Sequence, residues 1–283
     1  MNFLHAIILG IVEGVTEFLP ISSTGHLTIT EKLLGLDISH PGVVAFTAVI
    51  QIGAIAAAVL YFWPDIWRIL CAWWRGLWWR RARRNPDYAY GWAIIIGSVP
   101  IALVGLLLKH HVEIETVLRS LWFVAGALIV WSGVMWLADR WATRRANGRS
   151  ERQATWHDLL VMGLVQCIAL VPGISRSGAT ISAGLFRGFD RLSVVKLSFF
   201  LGIPALVASG LQQAISHVAQ IGQAPGWGMT LVATAVSFVV GYLVVSWLIK
   251  FITRHDFAYF IWYRVGLALL LMYLLINHTI SAI

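Results

Sequence analysis

The side chains best equipped for chemistry fall in two short stretches of this chain. EGVTEFLPISSTGH, residues 13 to 26, carries Glu13, Glu17, Ser22, Ser23, Thr24 and His26, and PGISRSGAT, residues 172 to 180, carries Gly173, Ser175, Arg176, Ser177, Gly178 and Thr180. Glu13 and Glu17 are four apart, so a helix puts them on one face, where repulsion and apolar surroundings make two ionised carboxylates costly. Such a pair lines a polar cavity, holds a divalent cation, or shares a proton so that one member acts as a base. His26 follows the Ser-Ser-Thr-Gly turn and can be brought to the mouth of the same cavity. Arg176 stands between two serines after a Pro-Gly break, and a guanidinium there calls for a bidentate anion or for pairing with Glu13 or Glu17. Ser22 also suits the plainer task of capping the helix that follows.

The elements that must position these residues belong to a membrane. Of 283 residues, 59% are hydrophobic and only 12% charged, against roughly 25% charged in soluble domains, and the mean hydropathy is +0.77. The 15 Trp and 25 Gly agree, because Trp collects at membrane interfaces and Gly is tolerated in packed membrane helices. Intrinsic disorder is excluded by the same composition. Cys71 and Cys167 have no ligand spacing and read as small packing residues, with no disulfide. The early apolar run, broken by Glu13 and Glu17 and without a basic residue before Lys32, reads as part of the folded protein rather than a cleaved leader.

Hydropathy predicts six spans, at 43 to 62, 88 to 108, 118 to 138, 194 to 213, 228 to 249 and 258 to 276. Arginines cluster between the first two, at Arg68, Arg75 and Arg80 to Arg84, and after the third, from Arg140 to Arg152. Positive charge stays on the cytoplasmic side, so both links belong there, and the 109 to 117 turn, with Lys109, His110, His111, Glu113 and Glu115, belongs outside. This distribution, with the Trp-rich interfacial run from Ile69 to Trp79, accounts for the net charge of +8 without a nucleic-acid partner. Segments 3 to 35 and 158 to 190 are too interrupted to cross and read as re-entrant hairpins.

An offset of 153 residues lays one hairpin over the other. Gly10, Val12, Ile21, Ser22 and Gly25 recur as Gly163, Val165, Ile174, Ser175 and Gly178. The predicted class is therefore an all-α, polytopic membrane protein of one domain, built as hairpin plus three spans, twice: residues 1 to 140 and 155 to 283. An odd number of spans per unit inverts the second copy and brings the broken segments together near the midplane, with both chain ends outside. Each break, at Pro20 and at Pro172-Gly173, frees backbone amides that need a polar partner, water or an anion. A secondary transporter or lipid flippase is one function for this architecture; phosphoryl transfer is the other, favoured by two acids, a His, a Ser and an Arg in one cavity.

The two motifs resemble the signature motifs of the bacterial undecaprenyl-diphosphate phosphatases, membrane enzymes associated with bacitracin resistance and distinct from the PAP2-type phosphatases. Length, motif order and separation correspond over essentially the whole chain. The resemblance implies hydrolysis of undecaprenyl diphosphate to undecaprenyl phosphate and inorganic phosphate, which recycles the carrier lipid for peptidoglycan synthesis. It further implies a bacterial cytoplasmic membrane location, a site opening to the outer side, a divalent cation such as Mg2+ or Ca2+, and a homodimer as an admissible assembly. Bacitracin would compete by binding the lipid substrate, not the protein.

Within that reading, Glu13 and Glu17 hold the cation, while Arg176, Ser175, Ser177, Thr180, Ser22, Thr24 and the amides around Gly173 and Gly178 receive the diphosphate. Ser23 or a water is the nucleophile and His26 the base or proton shuttle, with His26 as direct nucleophile a further variant. Ser23 is preferred to Ser22 because the repeat aligns Ser22 with Ser175, a shared capping position, and Ser23 with Arg176.

Overall fold

The structure, a computed structural model, describes residues 1–38, 40–108, 120–145, 147–216, 218–223 and 225–280. The predicted 109 to 117 turn lies outside the described residues. Helices α1 (Phe3–Thr16) and α2 (Ser23–Leu33) form a short pair, followed by α3 (Pro41–Tyr61), α4 (Trp63–Trp78), α5 (Pro86–Leu108) and α6 (Leu121–Thr143). A second short pair, α7 (Trp156–Gln166) and α8 (Arg176–Phe186), precedes α9 (Arg191–Ser216), α10 (Val218–Gln223), α11 (Trp227–Ile252) and α12 (Ala258–Ile276). The chain is thus all-α; among the described residues the β-type pairing is an isolated bridge between Arg149 and Phe189.

Six helices, α3, α5, α6, α9, α11 and α12, are long and apolar enough to cross a membrane, the number the hydropathy predicts. With 14 and 11 residues, α1 and α7 rise only about 21 and 17 Å, short of the ~30 Å hydrocarbon layer. Helix α4 is amphipathic. It buries Ile69, Ala72 and Gly76 and turns Trp63, Trp67, Trp74 and Trp78 outward.

Each short pair is held by a long helix from the other half of the chain. Gly10 and Gly14 let α1 press on α11: a Cβ there would stand 2.5 Å from the Ala233 carbonyl oxygen and 2.8 Å from that of Ser237. On the other side α7 packs on α5, with Gly163 directly against the Gly97 carbonyl. Close backbone approach of this kind is how helices associate where the solvent is itself apolar. The central core joins the end of the first pair to α3 and α9, with Phe18 edge-on to Phe199 at 5.1 Å between ring centroids and Phe62 5.4 Å from the same ring.

At the Arg-rich end an ion cluster closes the second pair. The buried Asp158 carboxylate, in the first turn of α7, accepts from Arg149 and Arg187 at 2.7 Å each and from the Thr155 amide at 3.0 Å. Burial alone would push this carboxyl up, but the donors from Arg149, Thr155 and Arg187 outweigh it and hold the group well below the usual carboxylate range. The carboxyl is therefore more acidic folded than unfolded, so its stabilisation is full above about pH 5 and fades as pH falls toward the folded value. Asp158→Asn should lower stability by about 2 kcal/mol, below the ~3–5 kcal/mol of a fully buried pair because both arginines remain partly in solvent. Thermal unfolding in detergent at pH 7 checks this, and the gap between variant and parent should narrow in acid.

Candidate active site

The ends of the two short pairs meet, and backbone geometry explains how. Helices α2 and α8 are each capped by a serine in the left-handed region, Ser22 at φ 76° and Ser175 at φ 75°. For a non-glycine residue that conformation is strained. Here each serine Oγ accepts the amide three residues on, from Gly25 at 3.4 Å and from Gly178 at 3.2 Å. The capping role expected of Ser22 is what the structure shows, and Ser175 repeats it 153 residues later.

One carbonyl from each break is bound by Arg264, fully buried on α12. Its guanidinium donates to the Pro20 carbonyl at 3.3 Å, the Gly173 carbonyl at 3.0 Å, the Leu128 carbonyl at 3.4 Å and Ser132 Oγ at 3.1 Å. Ser177 Oγ adds a second tie across the breaks, donating to the Leu19 carbonyl at 3.0 Å and lying 3.1 Å from Ser175 Oγ. The sequence points to one arginine at the breaks, Arg176. Two arginines are present, and the groups bridged from one break to the other are carbonyls, with the amides of Gly25 and Gly178 satisfied locally. A guanidinium carries five donors in a plane, so it suits several converging acceptors that water cannot reach.

Around this clamp Glu17 connects most of the predicted chemistry. Its carboxylate accepts from Ser23 Oγ at 2.7 Å, from Gln51 Nε2 at 3.0 Å and from Arg176 at 3.3 Å. The pair is largely sealed from solvent, with side-chain exposures of 3% for Glu17 and 11% for Arg176. Arg176 also donates to the Ser198 carbonyl at 3.1 Å, while its Nε has no partner among the described residues. Glu13 is fully buried beside Glu17, and apart from Glu17 neither of its carboxylate oxygens has a hydrogen-bond partner among the described residues. One guanidinium donor and the two Glu13 oxygens thus lie unsatisfied in the same buried region.

His26 is tied elsewhere. Nδ1 lies 2.7 Å from the Ser22 carbonyl and Nε2 2.8 Å from the Tyr263 hydroxyl, with the two rings stacked at 5.6 Å. A carbonyl only accepts, so Nδ1 carries the hydrogen and Nε2 presents its lone pair, accepting from Tyr263. Ser23 and His26 are half-buried and Thr24 is exposed, which makes them the reachable rim of the site. The deeper predicted contacts are already engaged: Gly173 through its carbonyl, Gly178 through its amide, Ser175 and Ser177 with each other, and Thr180 with Ser198 Oγ at 2.7 Å.

Sequence reasoning missed Arg264, Gln51, Ser198 and Tyr263. Only Arg264 left a signal, since an arginine inside a predicted span is expensive and calls for a partner. The others are ordinary residues of long helices until packing turns them inward. Arg264→Gln should cost on the order of 2–5 kcal/mol by leaving converging carbonyls unpaired in an apolar interior. It should depress activity as the breaks separate, which thermal unfolding and turnover measured side by side would check.

The description "Bacitracin resistance protein BacA" matches residues 6–270 of this chain. The chain is 55% identical to undecaprenyl-diphosphatase 3 of Frankia casuarinae and 54% identical to an undecaprenyl-diphosphatase of Cutibacterium acnes, each over the full length of both chains. It is 44% identical, again over both full lengths, to an undecaprenyl-diphosphatase of Acidothermus cellulolyticus. With the family's description covering the stretch that contains both breaks, Arg176 and Arg264, and with full-length relatives well above 30% identity, the chain belongs to the BacA family of bacitracin resistance proteins.

Proposed function

We infer that this chain is an enzyme that hydrolyses undecaprenyl diphosphate to undecaprenyl phosphate and inorganic phosphate, returning the carrier lipid to peptidoglycan synthesis. One observation carries the reading beyond family membership: a serine hydroxyl, a carboxylate and an arginine from opposite breaks share one contact, Ser23 to Glu17 to Arg176. Phosphoryl transfer asks for a positioned nucleophile and neutralised phosphate oxygens, and little other covalent work from the protein.

In the mechanism we favour, Ser23 Oγ attacks the terminal phosphorus and its proton passes to Glu17, already 2.7 Å away. The bond from that phosphorus to the bridging oxygen breaks, and undecaprenyl phosphate leaves with the electron pair. Water then opens the phosphoserine, releasing inorganic phosphate and restoring the hydroxyl. Arg176 faces the diphosphate oxygens, with its free Nε as one donor. His26, its Nδ1–H held by Ser22, offers Nε2 as the proton shuttle once Tyr263 yields that position. Water activated directly, or attack by His26, would use the same residues in other roles.

A divalent cation fits the residues present. Glu13 brings two unpartnered carboxylate oxygens beside Glu17, hard donors of the kind Mg2+ and Ca2+ take. Among the described residues no group of three His, Cys, Asp or Glu forms a complete ligand set, so phosphate oxygens and water would fill the remaining positions. When bound, the cation supplies charge neutralisation at the phosphoryl oxygens.

The two short pairs are re-entrant hairpins in this proposal, related by inversion within one domain, with units at 1 to 140 and 155 to 283. The matched left-handed serines and the reciprocal packing of α1 on α11 and α7 on α5 support it. The chain lies in the bacterial cytoplasmic membrane with its Arg-rich links inside, both termini outside and the site opening outward. Bacitracin acts on the lipid substrate, and two copies can pair as a homodimer without completing the site.

Phosphate release from undecaprenyl diphosphate in detergent with Mg2+ tests the enzyme reading. Arg176→Lys should lose roughly 100-fold or more in turnover, because the point charge remains while the planar fork is lost. Ser23→Ala at a near-normal rate would remove the serine nucleophile, and unchanged Glu17→Ala would remove the base and cation site. A carrier built on the same repeat would move lipid between leaflets and release no phosphate at all.

Orientation has its own check, in a background with Cys71 and Cys167 replaced by serine. A cysteine at Arg81 or Arg144 should resist a membrane-impermeant maleimide on intact cells, and one at Asn277 should react. The reverse pattern would invert the topology.

A further inference from the structure

A polar cavity lies apart from the site, at the Arg-rich end of the helices. It encloses about 630 Å³ where the end of α6 meets the turn from Gly188 to Arg191 and the turn from Thr253 to Asp256. Thr143 on its wall and Ser132, the Arg264 partner, both sit on α6 but roughly 16 Å apart along its axis. The cavity therefore belongs to neither break.

Three arginines, Arg145, Arg191 and Arg254, line it beside two carboxylates, Asp190 and Asp256. Every carboxylate that lines it is engaged: Asp190 accepts from the Ser193 amide and hydroxyl at 2.8 Å each, and Asp256 accepts from the Ala258 amide at 3.1 Å. Arg191 is likewise taken, by Asp139 at 2.7 Å and Thr143 at 2.7 Å. Arg145 and Arg254 line the same space, and neither has a carboxylate partner among the described residues. Arg145 lies over the Trp141 ring at 5.2 Å, and Arg254 is exposed on its turn. His255, also on the wall, is held by the Phe251 carbonyl at 3.1 Å. Two guanidiniums from separate elements thus line one cavity, Arg145 packed on Trp141 and against Gly188 and Arg254 open to solvent, and each keeps donors that a phosphate group can take.

The surroundings add an apolar side. An adjoining cavity of about 450 Å³ shares Thr143 and Asp256 with the first and continues past Trp136, Ala258 and Ile261. Trp136 is 43% exposed on the outer face of α6, with Arg140 stacked on it at 4.4 Å. A polar pocket that opens along an aromatic, outward-facing wall suits an amphiphile whose head is anionic and whose chains lie against the helices.

We propose that this cavity is a binding site for the phosphate-bearing headgroup of an anionic membrane lipid, with Arg145 and Arg254 as its anion contacts. The occupant is held at the Arg-rich end, separate from the site between the breaks, and bridges the end of α6 to the turn before α12. Because α12 carries Arg264 and Tyr263, the lipid would steady the helix on which the site depends.

Native mass spectrometry of the detergent-purified full chain, titrated with dioctanoyl phosphatidylglycerol, tests this. The parent should bind the lipid, and Arg145→Gln/Arg254→Gln should bind it on the order of 10- to 100-fold more weakly, with phosphate release in detergent unchanged. Both side chains are exposed, so folding should survive; Arg254→Gln alone, expected to show part of the loss, guards against a misfolded double variant. Dioctanoyl phosphatidylcholine should bind weakly to both proteins. Equal affinity of parent and double variant for phosphatidylglycerol, or phosphatidylcholine binding as tightly, would overturn the site. Inorganic phosphate binding as tightly as the lipid, with the same dependence on the two arginines, would overturn the lipid as occupant.

Discussion

A broken helix in an apolar solvent leaves backbone groups that water cannot reach, and the rest of this structure follows from how two such breaks are satisfied. Arg264 answers for both. By donating to the Pro20 and Gly173 carbonyls at once, it fixes the two breaks against each other instead of capping each separately. Its remaining donors go to α6, so the clamp also sets the depth of α12 relative to α6. A charged residue fully buried among helices carries a large desolvation cost, which only a complete set of acceptors offsets.

Once the breaks are locked, the ion pair between them becomes affordable and useful. Glu17 and Arg176 are 159 positions apart and meet because Ser177 and Arg264 have already drawn the two turns together. Glu17 then has three donors from three elements, which orients its carboxylate toward Ser23 without requiring motion. Preorganisation of this sort lets a phosphoryl-transfer site work with few residues. Glu13 and the Arg176 Nε are left unmatched inside it among the described residues.

The same logic explains why glycines stand where the short helices cross the long ones, beside the buried Leu9, Leu159 and Met162. Gly10, Gly14 and Gly163 allow backbone-to-backbone contact with a long helix of the opposite half, so each break is supported from outside its own half. Displacing either short pair would therefore disturb helices from both halves. At the Arg-rich end, Asp158 performs a comparable service with charge, drawing Arg149 and Arg187 onto the first turn of α7 where water still reaches the guanidiniums.

The sequence by itself determined the solvent, the all-α class and the six long helices, because hydropathy is summed along the chain and needs no knowledge of contacts. It also determined the residue types at the breaks and the serine cap that Ser22 and Ser175 share, since both depend on neighbours within a few positions. Tertiary structure alone decided that Ser23 faces Glu17 while His26 turns to Tyr263, and that Ser175, Ser177 and Thr180 are bound up in the breaks themselves. Local periodicity puts a side chain on a face but does not say which distant helix that face meets. Arg264 shows the boundary best: its cost was legible from its place in a span, while its partners, 91 to 244 positions away, were fixed only by how the helices packed.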